Sequence, residues 1–230
     1  MLAFIAAERR ELEGVLSHAE GIRKPEWPVD FARIARLNAR DVVLVANGPG
    51  PSLAGRAADV VRERLGMGMN ALVSVGFCGA LDPALEVCEI FVATEVKDIG
   101  AARAPAIAGH AYKSGKLLSM DRVVSTPAER AVLHASGGDA VEMEAAALIA
   151  RARKWDVPFY AIRVVTDTAR EAFALDFNRM RDREGRFSLP KILAGAARKP
   201  VAVLPELLKL NQRSKCAAKA LGDFIADARF

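Results

Sequence analysis

Continuous apolar runs alternating with helical stretches limit most strongly what this chain can fold into. Candidate strands occupy residues 2–7, 42–46, 71–75, 90–96, 116–120 and 159–165. Runs such as Val42-Val43-Leu44-Val45 are apolar throughout, as is expected of strands covered on both faces. Candidate helices occupy residues 8–18, 52–65, 127–135 and 144–155, with one or two more after Leu189. This alternation predicts an α/β fold in which helices pack on the faces of a sheet.

Length and composition favour one domain over residues 1–230, with 189–230 as a C-terminal helical segment. A chain with 52% hydrophobic and 27% charged residues is not of the disordered class. The apolar run at 1–7 is too short to span a membrane, and charged residues follow at once, so we expect no signal peptide. The three cysteines, Cys78, Cys88 and Cys216, have no spacing that indicates a disulfide framework or a zinc site. A reducing cytoplasm is therefore the expected location.

The net charge of +5 raises the question of an anionic partner. Much of the excess lies after residue 178, where no nucleic-acid motif or interleaving of basic and aromatic residues is present. A solvated basic helical face is the favoured interpretation, without a nucleic-acid partner. The Leu-rich and Lys-rich segment 201–230 leaves two alternatives open, a terminal helix packed on the domain or a weak contact with a membrane surface.

Two glycine-containing turns follow candidate strands. The turn Asn47-Gly48-Pro49-Gly50 could present backbone amides to an anion or a ribose, or could simply reverse the chain. It lacks the dinucleotide fingerprint and the lysine of a phosphate loop, which opposes a Rossmann-like cofactor binder. In Gly76-Phe77-Cys78-Gly79, the glycines allow a ligand to approach the end of a strand, or mark a bend. Cys78 has no histidine nearby and is interpreted as a structural thiol.

Acidic residues mark two further segments. Glu142 and Glu144 flank Met143 at the start of a helix, and Asp167 ends a strand. Taken singly, acids in the first turn of a helix need no function, because they interact favourably with the helix dipole. Asp167 alone could equally cap the next element.

Together and in this order, these segments resemble the nucleoside phosphorylase and nucleosidase superfamily, in particular its methylthioadenosine/S-adenosylhomocysteine nucleosidase branch. The resemblance runs from Leu2 to about Thr168 and rests on the first strand with 7–11, and on 48–50, 76–81, 141–147 and 163–167. The stretch 79–85 and the short region before Lys116 look most like the hopanoid-associated phosphorylases, which are implicated in releasing adenine from a nucleoside-bearing hopanoid lipid. The resemblance implies a three-layer α/β/α domain with a central mixed sheet.

It also implies cleavage of the bond between a purine and its ribose, which builds an oxocarbenium-like sugar and sends electrons into the base. Asp167 would be the general acid toward the imidazole ring of the purine, oriented by Thr166. Glu144 would bind the ribose hydroxyls, Met143 would pack on the sugar, and Glu142 would support them. Glu11 would be the general base that activates water; the alternative is a surface acid on an amphipathic first helix.

The other candidate substrate-binding residues are Phe77, Gly79, Val123, Val124 and Arg163. Val123 is a departure from the family pattern, because the nucleosidases place a base-stacking Phe there. We therefore expect the base to lose an aromatic platform, unless Phe77 supplies part of the stacking or narrows the pocket.

The phosphate signature that opens many phosphorylases is missing, which favours hydrolysis. Phosphorolysis stays open, with phosphate as co-substrate bound by Arg56, Arg163 or an arginine of a partner subunit. A catalytically inactive relative that binds nucleosides is a third reading. No metal and no other cofactor are expected. The expected partners are a small-molecule purine nucleoside and further copies of the chain, as a homodimer or a larger homo-oligomer.

Overall fold

Ten strands form one mixed sheet in the computed structural model, which describes residues 1–230. The strands are β1 (Leu2–Ala6), β2 (Glu20–Arg23), β3 (Phe31–Leu37), β4 (Arg40–Ala46), β5 (Ala71–Ala80), β6 (Ile90–Val96), β7 (Gly100–Ala101), β8 (Lys113–Ser119), β9 (Ala140–Glu142) and β10 (Phe159–Asp167). The helices are α1 (Glu13–Ser17), α2 (Pro51–Leu65), α3 (Pro127–Ala135), α4 (Ala145–Lys154), α5 (Leu189–Arg198) and α6 (Pro200–Asp227), with short 3-10 turns at Arg9–Leu12 and Gly66–Gly68.

The sheet closes on itself around the long strand β5. Strands β10, β6, β8, β9 and β5 pair in a ring, and β1, β4, β3 and β2 extend from β5 as an open sheet. The β1–β4, β1–β5, β5–β10, β6–β8 and β8–β9 pairs are parallel. The β5–β9, β6–β10, β3–β4, β2–β3 and β6–β7 pairs are antiparallel. The predicted α/β fold with a mixed central sheet is thus confirmed.

Helices cover both faces of this sheet. One apolar core joins residues of α2 and α4 to one face, through side chains such as Ala57 and Leu148. A second core joins α6 to the other face, through Leu221 and Phe224. The central strands are buried on both faces, which accounts for their uninterrupted apolar runs. No helix is both long and apolar enough to cross a membrane.

Several sequence-based predictions need correction. The expected helix 8–18 is a 3-10 turn at Arg9–Leu12 followed by the short helix α1. Strands β2, β3, β7 and β9 were not predicted, and β8 begins three residues before the predicted strand 116–120. Cys88 and Cys216 form a disulfide, although no disulfide was expected. Their 128-residue separation gives no sequence pattern, but the fold brings the loop before β6 against α6, with the two Cα atoms 6.1 Å apart.

Candidate active site

The candidate site lies where β5 changes its neighbour. Residues Ala71 to Ser74 of β5 pair with β1, whereas Gly79 and Ala80 pair with β9. Strands β1 and β9 diverge between these pairings, and Gly76, with φ of 146°, stands at the divergence. A side chain at Gly76 would collide with the carboxylate of Glu11. Gly76, which we predicted to let a ligand approach the strand, therefore makes room for the side chain of Glu11. It lies at the kind of sheet edge where open α/β folds bind their ligands.

A cavity of about 450 Å³ opens at this edge. Of the eleven candidate site residues, ten line it: Glu11, Phe77, Gly79, Val123, Val124, Glu142, Met143, Glu144, Thr166 and Asp167. Arg163 is not among the lining residues. No group of three or more His, Cys, Asp or Glu side chains is arranged to hold a metal ion.

Glu11 is buried and held by backbone amides. Its Oε2 accepts hydrogen bonds from the amides of Ala7 and Glu8, both at 2.8 Å, and its Oε1 accepts one from Phe77 at 2.9 Å. Burial raises the pKa of this carboxyl group, while the amides of Glu8 and Phe77 act to lower it. Glu11 is therefore not a surface acid on an amphipathic helix. A buried carboxyl group of this kind is suited to exchanging a proton with a ligand.

Glu142 is occupied by the protein. It accepts hydrogen bonds from the amides of Glu144 and Ala145 at the start of α4, and from the guanidinium of Arg163 at 2.5 Å. Arg163 also donates to the hydroxyl of Ser74 at 2.6 Å. This Arg163–Glu142 pair is buried, and its contacts fix the start of α4. Arg163 does not line the cavity, and the carboxylate of Glu142, which does, is already occupied by the protein.

Glu144 connects the start of α4 to the glycine turn after β4. Its Oε1 accepts a hydrogen bond from the amide of Gly50 at 2.7 Å. Burial, with the negative charge of Glu142 nearby, raises the pKa of Glu144 to about 8. The turn that the sequence suggested as a ligand loop thus holds an acid of the site. Met143, between the two acids, is also buried.

Asp167 ends β10 with both carboxylate oxygens engaged. Oδ1 accepts a hydrogen bond from the hydroxyl of Thr166 at 2.8 Å, and Oδ2 lies 2.5 Å from the guanidinium of Arg130. Burial raises the pKa of Asp167, and Arg130 and Thr166 oppose that rise. Gly79 pairs with Asp167 across the sheet, and a side chain there would collide with the Asp167 carboxylate.

Arg130 was not predicted as a site residue. It is the only buried residue of α3, and its guanidinium also donates to the carbonyls of Ala80, Val124 and Thr168. Its Nε has no hydrogen-bond partner. A basic residue on a charged helix is usually solvated, so only the fold reveals that this one turns inward beside Asp167.

A second unpredicted residue, Asn178, holds the backbone of Val123, which follows β8 and lines the cavity. The carboxamide of Asn178 accepts from the amide of Val123 at 2.8 Å and donates to its carbonyl at 2.9 Å. Aromatic rings come from elsewhere on the cavity wall: Phe77, Phe173, Phe177 and Phe187. Val123 thus removes one possible platform without leaving the cavity poor in aromatic surface.

Helix α6 is tied to the segment after Asp167. Arg213 donates to the carbonyl of Thr166 at 3.3 Å and to Glu171 at 2.7 Å, and Lys209 donates to Glu171 at 2.6 Å. Although burial acts to raise it, these hydrogen bonds lower the pKa of Glu171 to about 2. The ionised Glu171 therefore joins α6 to the strand end that carries Asp167.

Comparison with protein families gives a match over most of the chain. A sequence profile described as the phosphorylase superfamily matches residues 2–108 and 99–189. The matched ranges include all eleven candidate site residues, and Arg130 as well.

Solved structures share the fold at low sequence identity. The 5'-methylthioadenosine/S-adenosylhomocysteine nucleosidase from Neisseria meningitidis, in complex with methylthio-immucillin-A, has a TM-score of 0.70 and 21% identity, covering 98% of this chain and 96% of that one. The corresponding nucleosidase from S. pneumoniae gives 0.70 and 16%, with coverage of 98% and 96%. Futalosine hydrolase of Helicobacter pylori gives 0.66 and 15%, with coverage of 98% and 95%.

Proposed function

Because the chain belongs to the phosphorylase superfamily, we propose that it is an enzyme that hydrolyses the N-glycosidic bond of an adenine nucleoside. The observation that carries the proposal is the grouping of three buried carboxyl groups, Glu11, Glu144 and Asp167, around one cavity. A nucleoside has three parts that such groups can serve: a base that must accept a proton, a sugar with hydroxyl groups and an anomeric carbon open to attack.

Asp167 acts on the base. Its proton passes to the imidazole-ring nitrogen of the purine as the N-glycosidic bond breaks and the bonding electrons move into the base. Burial favours the protonated form that this step needs. Thr166 keeps the carboxyl group in one orientation through its hydrogen bond to Oδ1.

Glu144 and Glu11 act on the sugar side. Glu144 accepts hydrogen bonds from the ribose hydroxyls, with Met143 against the apolar face of the ring. Glu11 takes a proton from water while the water oxygen bonds to the anomeric carbon, so that free adenine and the free sugar leave. The raised pKa of Glu11 makes it a stronger base than an ordinary carboxylate.

The available arginines support hydrolysis over phosphorolysis. Arg163 is buried against Glu142, and Arg56 does not line the cavity. Of the arginines that do line it, Arg10 pairs with Glu8 and Arg122 with Glu129. The third, Arg130, pairs with Asp167. A phosphate ion would therefore compete with one of these acids for its arginine.

The test is adenine release from methylthioadenosine, S-adenosylhomocysteine and adenosine, and hypoxanthine release from inosine, each with and without phosphate. Wild type is compared with Asp167→Asn and with Asp41→Asn, an exposed aspartate on β4. We expect phosphate-independent release that is lost in Asp167→Asn and kept in Asp41→Asn. Release only with phosphate would make the chain a phosphorylase. No release from any of the four would contradict the proposal for these substrates and favour a nucleoside-binding protein.

The finer substrate proposal is an adenine nucleoside with an apolar group on its sugar, as in a hopanoid-linked nucleoside. It is supported by apolar lining side chains beyond the acids, among them Phe173, Phe177, Ile192, Leu207 and Leu210. A series of 5'-alkylthioadenosines tests it: kcat/KM should rise with chain length, because apolar burial adds binding energy. A flat series, or preference for the charged S-adenosylhomocysteine, would contradict it.

Assembly, cofactor use and location also belong to the proposal. We propose a homodimer or a larger homo-oligomer, which light scattering on the purified chain would test. We propose catalysis without a cofactor, to be checked by activity after dialysis against a chelator.

The expected cytoplasmic location conflicts with the Cys88–Cys216 disulfide, because disulfides are rare in reducing compartments. Localisation of a tagged full-length chain would show whether the protein lies in the cytoplasm or in a compartment where the disulfide is stable.

A further inference from the structure

Large exposed apolar side chains are concentrated on one part of the surface. Of the nine in the chain, five lie on α5 and the first part of α6, between 52% and 89% exposed: Leu189, Leu193, Val201, Leu204 and Leu208. The other four, Ile22, Met67, Tyr112 and Val132, are far apart in sequence, on or beside different elements. Single exposed apolar residues are ordinary, whereas a concentration of them indicates an interaction site. We call these five residues the α5–α6 face.

The α5–α6 face is not needed for packing within the chain. Leu189 and Leu193 are four residues apart on α5, and Val201, Leu204 and Leu208 follow at spacings of three and four on α6, so each set forms one stripe. Separate residues, Ala196 and Val203, are buried in a cluster with Leu175, with Ile192 and Leu207 packed against them. Because these inner residues pack α5 and α6 onto the rest of the chain, the outer stripes are left for a partner.

Positive charge surrounds the stripes. Exposed Lys191, Arg198 and Lys199 lie among or beside the five apolar residues, and Lys199 is the single residue that joins α5 to α6. Lys209, next to Leu208, is paired with Glu171. The one acid in the stretch, Glu206, accepts a hydrogen bond from the amide of Ala174. Apolar side chains ringed by cations match a surface that is apolar below and anionic at its boundary with water.

We propose that the α5–α6 face docks on an anionic phospholipid membrane. The apolar stripes enter the headgroup boundary while Lys191, Arg198 and Lys199 contact phosphate groups. This is a surface contact, since no helix is long and apolar enough to cross the bilayer. Leu189, on the face, and Ile192, beside it, also line the cavity, so docking brings the cavity near the lipid. The docking does not depend on the proposed reaction.

The test is co-sedimentation of the full-length protein with vesicles at low salt. One set contains phosphatidylcholine alone and the other equal parts of phosphatidylcholine and phosphatidylglycerol. We expect binding to the anionic set only, weakened by added salt as charges are screened. Arg198→Glu with Lys199→Glu should weaken it by at least about tenfold, since each basic residue contributes severalfold. Leu193→Ser with Val201→Ser and Leu204→Ser should abolish it.

A matched control replaces exposed apolar residues elsewhere, Met67→Ser with Val132→Ser, and should bind as wild type does. Thermal unfolding checks that all variants stay folded, as their exposure predicts. The proposal is overturned if wild type stays in the supernatant with anionic vesicles, or if the control loses binding as fully as the triple variant. It is also overturned if lipid-free wild type self-associates through this face, shown by light scattering, and the triple variant alone becomes monomeric. None of these outcomes depends on nucleoside cleavage.

Discussion

The guanidinium of Arg130 lies 2.5 Å from Oδ2 of Asp167, with both side chains buried. A permanent cation in contact with a carboxyl group favours its ionised form, whereas the proposed general acid must carry a proton. Burial and Arg130 therefore act in opposite directions on one pKa. The other groups beside Asp167 are the Thr166 hydroxyl, the Cys78 thiol and the carboxylate of Glu171. None of these three groups is a cation, so Arg130 supplies the positive charge in contact with Asp167.

Replacing this cation should move the pH profile. In Arg130→Met, Asp167 loses its positive neighbour and its pKa rises. An acid catalyst stays protonated to higher pH, so the alkaline limb of kcat/KM should move upward by about one to three pH units. Arg130→Lys keeps the charge and should leave the limb close to that of wild type. The measurement is adenine release across the pH range.

Activity alone would not separate this effect from damage to the fold. Loss of a buried ion-pair partner typically costs about 3–5 kcal/mol, so the free energy of unfolding must be measured beside the kinetics. Arg122→Met is the matched control, because Arg122 lines the cavity but pairs with Glu129 instead. A lower rate with an unmoved limb in Arg130→Met would show that Arg130 acts only on structure.

Local sequence signals predicted part of the fold and left part of it hidden. The helix 127–135 was predicted correctly because Thr126 caps it, accepting from the amide of Glu129 at 3.3 Å, and Pro127 opens it. The central strands were predicted because burial on both faces makes them uniformly apolar. Strand β3, Phe31–Leu37, was missed because Arg33 and Arg36 interrupt its apolar pattern, as happens toward the edge of a sheet.

The site residues also divide into those that the sequence identified and those that only the fold reveals. Glu144 and Asp167 belong to short segments with a recognisable order, so a resemblance could identify them. Arg130 lines the cavity and Asn178 holds the backbone of Val123 beside it, and both come from segments whose local sequence resembles ordinary solvated surface. Their contacts depend on where α3 and the chain after β10 pack, which is tertiary information. The same holds for Cys88 and Cys216.

Glu11→Gln should slow hydrolysis strongly while leaving nucleoside binding measurable. The neutral amide cannot take a proton from water, so we expect kcat to fall by about 10²- to 10⁴-fold. Glu13→Gln, in an exposed position two residues later, is the control and should be neutral. Adenine release gives kcat, and inhibition by a product gives binding. Full activity in Glu11→Gln that requires phosphate would remove Glu11 from the mechanism and favour phosphorolysis.

Glu144 should make stability depend on pH. Its pKa is about 8 in the folded chain, against an ordinary value of 4.5, so the folded state holds a proton that the unfolded state releases between these values. The resulting stabilisation is complete below the unfolded-state pKa and is lost as the pH rises through about 8. From pH 6 to pH 8, wild type should therefore lose at least about 1 kcal/mol relative to Glu144→Gln.

Urea unfolding at the two pH values measures this difference. Glu63→Gln, an exposed acid on α2, is the control and should follow wild type at both. Parallel pH dependence of wild type and Glu144→Gln would mean that Glu144 is already ionised in the folded chain.

Gly222→Ala should destabilise the chain by separating α6 from α1. A methyl group at Gly222 would overlap the backbone of Gly14, and backbone atoms cannot turn aside as a flexible side chain can. Overpacking of this kind typically costs about 1–3 kcal/mol. Gly68→Ala is the matched control: a methyl group there meets no atom within 4 Å, so its effect should stay within about 0.5 kcal/mol. The urea midpoint reports both changes, and equal midpoints would show that the two helices can separate without cost.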